Sequence, residues 1–261
     1  MDNNIKIRLI SSQNKSVSVS AGQSVLLLDK IGGRQNAPRS LVIRLAPGAK
    51  AQHVLLFQTE VKAKNESGRL WQRDFKLGAG SQLDSFRLFL GQGNYNFSLN
   101  SYLGTKATLN ARSIAWTLNQ QQLDINDNYI FTGPGSYGRF NAASLVAGSS
   151  QVNYFSDLII KSKAQKSDSR VDLDFYPLSL EARGRFRPSL KIAANDVKAG
   201  HGASSLKLSP QDRFYLQSRG LSPKQIQVLI LDALSQRFTA QITDASLAAE
   251  ILDTLKKRSI E

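Results

Sequence analysis

Between about residues 40 and 200, apolar residues come in short alternating runs, at 41–45, 54–57, 86–90, 96–102, 113–118 and 158–160, separated by Gly, Asn and Ser. Period-two runs of this length bounded by turn residues predict many short β-strands. The turn chemistry also recurs. The stretches RLAPGAKAQHVLLF (44–57), KLGAGSQLDSFRLF (76–89) and YLGTKATLNARSIAW (102–116) each set a leucine and a small-residue turn ahead of a strand. Their turn positions Gly48, Gly80 and Lys106 are 32 and 26 residues apart. Periods of this size predict stacked rungs, each burying its apolar side on its neighbours. The imperfect period leaves a β-sandwich open as the alternative.

After His201 the pattern becomes helical. Ser209-Pro210-Gln211-Asp212 is an N-cap signature, and Gly220 ends that helix. Ser222-Pro223-Lys224-Gln225 reads as a capping box. Ile226, Leu229, Ile230, Ala233, Leu234 and Phe238 then follow at helical spacing. A third helix is expected from Asp244 to 256–258, with basic residues suiting its dipole. The organisation expected is a strand-like N-terminal cap (1–39), a solenoid core (40–205) and a C-terminal helical subdomain (206–261).

The chain has 261 residues, 41% hydrophobic and 21% charged, enough for a proper core. No apolar run approaches the roughly 18 residues that span a bilayer. The polar start MDNNIKIRLISSQNK lacks a signal peptide's apolar stretch, so a cytoplasmic protein is expected. There is no cysteine, which excludes disulfides, cysteine nucleophiles and any thiolate-ligated centre built from this chain alone. The net charge is +14, with short clusters at Arg183/Arg185/Arg187 and Lys256/Lys257/Arg258. Alternate spacing puts the first three guanidinium groups on one strand face. That face reads as solvated basic surface, as an anion site, or as the complement of an acidic partner protein.

The stretch RPSLKIAANDVKAGHGASSLKLSPQDRFYLQSRG (187–220) carries the most specific signal. An extended run through Leu190 and Ile192 leads to Asp196-Val197-Lys198, then to a predicted small-residue turn, Ala199-Gly200-His201-Gly202-Ala203. Its wording resembles the C-terminal hallmark of the SufB/SufD family of iron–sulfur assembly proteins. The SufD branch reads P-x-L-E-I-x-A-D-D-V-K-C-S-H-G-A-T followed by F-Y-L-x-S-R-G. Pro188, Leu190, Ile192, Ala194, Asp196, Val197, Lys198, His201, Gly202, Ala203, Phe214, Tyr215, Leu216, Ser218, Arg219 and Gly220 match. Residues 164–168, AQKSD, resemble the family's A-Q-K-T-D.

The resemblance implies a right-handed parallel β-helix followed by helices, in a complex with a SufB-type scaffold and a SufC-type ABC ATPase. Position places ATPase docking on Phe214, Tyr215, Arg219 and Leu229. It places the family's histidine, implicated in cluster assembly between SufB and SufD, on His201. Ala199 stands where the family has a cysteine. Residues 120–133 lack the family's histidines, 169–177 replace its Gln/Asn ladder, and the sequence opens on strand-like residues rather than a long helical region. The chain therefore reads as a pared-down SufD-like subunit.

Iron–sulfur clusters are held mainly by thiolates, with imidazole the usual substitute. This chain offers His201 as a metal contact, aided by carboxylates such as Asp196. A transient cluster must then take most ligands from a partner, none being bound by this chain alone. His201 also reads as a structural imidazole, and His53 as a rung residue. The sequence leaves open whether the chain pairs with a SufB-type protein or a second copy. No catalytic constellation is recognisable, so a non-enzymatic subunit is expected. Gly133-Pro134-Gly135-Ser136 is a turn rather than a phosphate loop, and Arg170 interleaves the Asp168, Asp172 and Asp174 carboxylates as in a salt-bridged rung. The alternative functions are a basic solenoid binding nucleic acid or acidic polysaccharide, and a carbohydrate-active enzyme. The basic clusters lack the interleaved aromatics that single-stranded nucleic acid favours.

Overall fold

In the computed structural model, which describes residues 6–32, 38–58 and 69–260, the strands form a parallel β-solenoid of two sheets. Sheet A runs β1 (Lys6–Ile10), β3 (Ser24–Ile31), β5 (Lys50–Phe57), β7 (Gln82–Phe89), β9 (Thr108–Thr117), β11 (Tyr137–Val146), β13 (Asp168–Pro177) and β15 (Lys198–Ser205). Sheet B runs β2 (Ser16–Val19), β4 (Ser40–Leu45), β6 (Arg69–Leu77), β8 (Tyr95–Leu103), β10 (Gln122–Phe131), β12 (Gln151–Ile160) and β14 (Arg183–Ile192). Every strand pairs in parallel with the strand two places on, which removes the sandwich alternative. The described strands of the N-terminal segment pair into the same two sheets; residues 1–5 and 33–37 of that segment lie outside the described residues.

The turn positions read from the sequence stack on one another. The amide of Gly48 donates to the carbonyl of Ala79, Gly80 to Thr105, Lys106 to Pro134, Gly135 to Gln165 and Lys166 to Asp196. All five donors have positive φ, including Lys106 (53°) and Lys166 (58°). Two lysines thus accept a left-handed backbone because the ladder on either side fixes it. The AQKSD motif is one rung of this ladder.

The two sheets differ in what covers their outer faces. Sheet B alternates cleanly, as in β8, where Tyr95, Phe97, Leu99 and Leu103 point inward and Asn96, Ser98 and Asn100 outward. Sheet A carries continuous apolar runs such as Val54-Leu55-Leu56-Phe57, because helices lie on its outer side. Those helices are α2 (Pro223–Thr239) and α3 (Ala245–Ile260), following α1 (Pro210–Ser218). Leu231, Phe238, Ile242, Leu247, Ile251 and Leu255 pack with Leu26, Val54, Phe86, Leu88 and Trp116. Lys30 pairs with Glu250 at 2.9 Å, and Gln52 accepts from Thr243.

The caps on α1 and α2 form as predicted: Asp212 N donates to Ser209 Oγ, and Ser222 and Gln225 make a complete capping box. The predicted stripe of α2 is partly out of phase. Leu229 and Ala233 are exposed, while Leu231 is buried. A helix held by a sheet on one side and α3 on another buries a line the period alone does not select.

Inside the solenoid lie two fully buried polar clusters that bridge the sheets. Arg73 (β6) grips Asp29 (β3) through Nε at 2.5 Å and Nη2 at 3.0 Å, and its Nη1 donates to the carbonyls of Pro38, Arg39 and Gln72. His53 lies 3.3 Å from Asp29 Oδ2 through Nε2 and 3.1 Å from Ser85 Oγ through Nδ1. Burial pushes the Asp29 carboxyl up, yet Arg73 and His53 outweigh it and hold it at about 2. Burial lowers His53, so the ring is neutral and donates to Asp29 through Nε2. In the second cluster Arg87 (β7) forms a bidentate pair with Asp127 (β10) at 2.8 and 2.6 Å. Tyr129 and Tyr154 both donate to Asp127 Oδ2, at 2.9 and 2.7 Å.

Removing one partner of such a pair leaves an uncompensated buried charge, at a cost of about 3–5 kcal/mol. Arg87→Leu is expected to lower unfolding free energy in urea by that amount. Arg87→Leu combined with Asp127→Leu should recover only part of it, since the buried Tyr129 and Tyr154 hydroxyls lose their acceptor.

Candidate partner interface

The C-terminal end of the solenoid is uncovered. Among the described residues no strand pairs on the far side of β14 or β15. At the two ends of β14 the amides of Arg183 and of Ala193, just past the strand, donate to Ser150 and Ile160 on the coil behind. A parallel ladder bonds alternate residues to the same neighbour, so Gly184, Phe186, Leu190 and Ile192 turn their backbone groups to the free edge. Pro188 falls in that row and has no donor to offer, a usual place for an edge proline. In β15 the amide of Lys198 donates to Ser167, so Ala199, His201, Ala203 and Ser205 present theirs to the free edge.

The inward side chains of this last coil have neighbours on one side only. Phe175 and Phe186 stack with centroids 5.1 Å apart across the interior. Leu190, Val197 and Ala199 pack partly buried against the core, and Ile192 is 43% exposed. The outcome is an apolar floor rimmed by unpaired backbone.

His201 sits on that floor's rim. The predicted small-residue turn at 199–203 is instead part of β15, in register with β13, where His201 lies beside Val171 and Ala199 beside Ser169. Val171 and Ser169 are buried, which puts His201 and Ala199 in the inward phase. With no further coil to cover it, His201 is exposed, and its imidazole has no hydrogen-bond partner among the described residues. The flanking glycines do not make a turn; they make room. A Cβ on Gly202 would stand 2.7 Å from Asp172 Oδ1, and one on Gly200 3.3 Å from Arg170 Nη1. Arg170 and Asp172 form a bidentate pair, both bonds 2.8 Å, across the outer side of the two glycines. Glycines beside His201 thus leave room for the Arg170–Asp172 pair as it stands. Asp196 is exposed, its carbonyl accepting from Lys166 and its amide donating to Gln165 Oε1. No three His, Asp or Glu side chains among the described residues converge as a metal site.

The other sequence-predicted positions lie on the helices. Phe214 (72% exposed) and Tyr215 (56%) project from α1, which buries none of its residues. Arg219, at the C-cap of α1, lies over the Tyr215 ring at 5.4 Å. Leu229, 50% exposed on α2, lines a separate apolar groove with Leu221, Val228, Leu252 and Leu255. The structure thus joins Phe214, Tyr215 and Arg219 on one helix and sets Leu229 on the next.

His53 has partners that lie far from it in the sequence. Asp29, His53 and Ser85 do form a serine–histidine–aspartate string, but all three are fully buried, so the string serves structure. Its signal was available as charged residues at inward positions of apolar runs: Asp29 in LLLDKI and Arg87 in FRLF.

Residues 8–234 match the family model described as SUF system FeS cluster assembly, SufBD core domain. The chain is 24% identical to the iron–sulfur cluster assembly protein SufD of Escherichia coli over 219 residues, covering 83% of this chain and 50% of the relative. It is 37% identical over 83 residues to an iron–sulfur cluster assembly SufBD family protein of Synechocystis, covering 32% of this chain and 18% of that protein. It is also 28% identical over 130 residues to the chloroplastic protein ABCI7 of Arabidopsis thaliana, covering 49% and 27%. The chain spans half or less of the length of each of these relatives.

Because α1 buries nothing, Phe214→Ala and Tyr215→Ala are expected to change the chain's own unfolding free energy by no more than about 0.5 kcal/mol. Leu231→Ala, in the core beneath α2, should cost about 2–5 kcal/mol in the same denaturation assay.

Proposed function

The chain belongs to the SufBD core family of the SUF iron–sulfur system, and from that premise we propose that it is a non-catalytic, SufD-like subunit of a cytoplasmic cluster-assembly complex. The unpaired edges of β14 and β15 carry this reading. They border a half-covered apolar floor, which a soluble chain leaves open only at some cost unless another solenoid continues it. A SufB-type scaffold is the partner the family suggests for that end.

The cluster is the cargo of such a complex. His201 would lend one exposed imidazole at the joint, and Ala199 lends nothing, so thiolate ligands come from the scaffold. A SufC-type ABC ATPase would dock on α1, through Phe214, Tyr215 and Arg219, and on the groove beside Leu229. Support for a mechanical link comes from connectivity: α1 follows β15 almost directly, and α2 and α3 lie on sheet A, of which β15 is the last strand. Nucleotide-driven motion of the ATPase would reach the edge bearing His201 by that route.

The test is an anaerobic pull-down of the tagged chain from its own cells, with subunits identified and iron and sulfide quantified. Recovery of an ABC-type ATPase and a cysteine-bearing SufB-type protein is expected. His201→Ala should keep both partners while cutting complex-bound iron about tenfold. Recovery of the chain alone, or with nucleic acid, would contradict the proposal.

A further inference from the structure

The two free edges are not alike. On β15 the residues around His201 are small, and a strand of almost any composition can approach. On β14 the outer side chains are Arg183, Arg185, Arg187, Ser189 and Lys191. Lys191 is paired with Asp157, and Arg187 lies 4.7 Å over the ring of Phe155. Arg183 and Arg185 are exposed and form no ion pair among the described residues; the positions behind them on β12 are Gln151 and Asn153. The sheet therefore ends in a row of cations spaced two residues apart, of which Arg183 and Arg185 have no ionic partner among the described residues.

We infer that the chain extending sheet B past β14 is not a second copy of this one but a partner whose meeting strand carries Asp or Glu at alternate positions. The inference rests on the reading of this end as a partner interface and concerns the partner's chemistry. A two-fold contact of β14 with itself, centred on Arg185, sets Arg183 against Arg187 and Arg185 against its own copy. Like charges directly opposite each other on neighbouring strands are destabilising, whereas opposite charges stabilise. The row thus disfavours self-pairing and selects an acidic strand. Pro188 adds a positional constraint, since the docking strand can accept no backbone hydrogen bond there.

The chain itself supplies the probe. The triple variant Arg183→Glu/Arg185→Glu/Arg187→Glu converts the row to an acidic one on exposed positions, and Arg185→Glu alone is the milder version. Wild type and each variant are expected to be monomeric separately by analytical ultracentrifugation. Mixed one to one at about 0.05 M salt, wild type and triple variant should form a heterodimer whose dissociation constant rises about tenfold or more at about 0.5 M salt. Arg185→Glu should associate with wild type in the same sense, more weakly. Since the chain has no cysteine, Glu181→Cys together with Ser189→Cys in each component reports by cross-linking of 181 to 189 whether two β14 strands meet about Arg185, where those two positions face each other. A wild-type dimer cross-linked between positions 181 and 189 would overturn the inference, as would mixtures that stay monomeric. Failure to recover a scaffold from cells would overturn the proposed function and leave this result standing.

Discussion

A coil of a parallel solenoid can pair its backbone and bury its inward side chains only against the next coil. That constraint organises this molecule from end to end. It explains the stacked left-handed turns, in which even Lys106 and Lys166 adopt positive φ because the coils before and after leave no other path. It also means the last coil is unfinished: β14 and β15 end their sheets with alternate amides and carbonyls unpaired, over an interior half-covered by Phe175, Phe186, Leu190, Val197 and Ala199. Proteins with such ends need a cap or a partner.

The buried charges serve the same register. Asp29 on sheet A with Arg73 on sheet B, and Arg87 on sheet A with Asp127 on sheet B, join the two walls of the solenoid by bidentate pairs. An apolar core tolerates a sheet sliding by a coil; a guanidinium that must meet one carboxylate does not. In this reading the clusters contribute specificity of stagger more than stability.

Much of the fold was legible because solenoid turns and helix caps are local. Gly48, Gly80 and Lys106 announced the ladder, and Ser209 and Ser222 the helix starts. What was not legible depends on non-local covering. Strand β5 reads as an unbroken apolar run because α2 and α3, nearly two hundred residues away, cover its outer face. For the same reason the helical period of α2 does not show that Leu229 is exposed and Leu231 buried. At the candidate site, His201 was singled out by its neighbours in sequence, but the glycines around it suggested a turn. Only the register with β13 shows that Gly200 and Gly202 lie under the Arg170–Asp172 pair and that His201 faces the open interior. Phe214 and Tyr215 were placed on a helix correctly; that this helix buries none of its residues was not visible in the sequence.

The account's central claim is that the end formed by β14 and β15 is completed by another protein chain. Hydrogen–deuterium exchange at the free-edge amides of Ala199, His201, Ala203, Gly184 and Phe186 tests it most directly, comparing the isolated chain with the complex recovered from cells. The account predicts fast exchange at these amides in isolation and strong protection in the complex, with the neighbouring amide of Lys198, already bonded to Ser167, slow in both. Free-edge amides that exchange equally fast in the complex would contradict it.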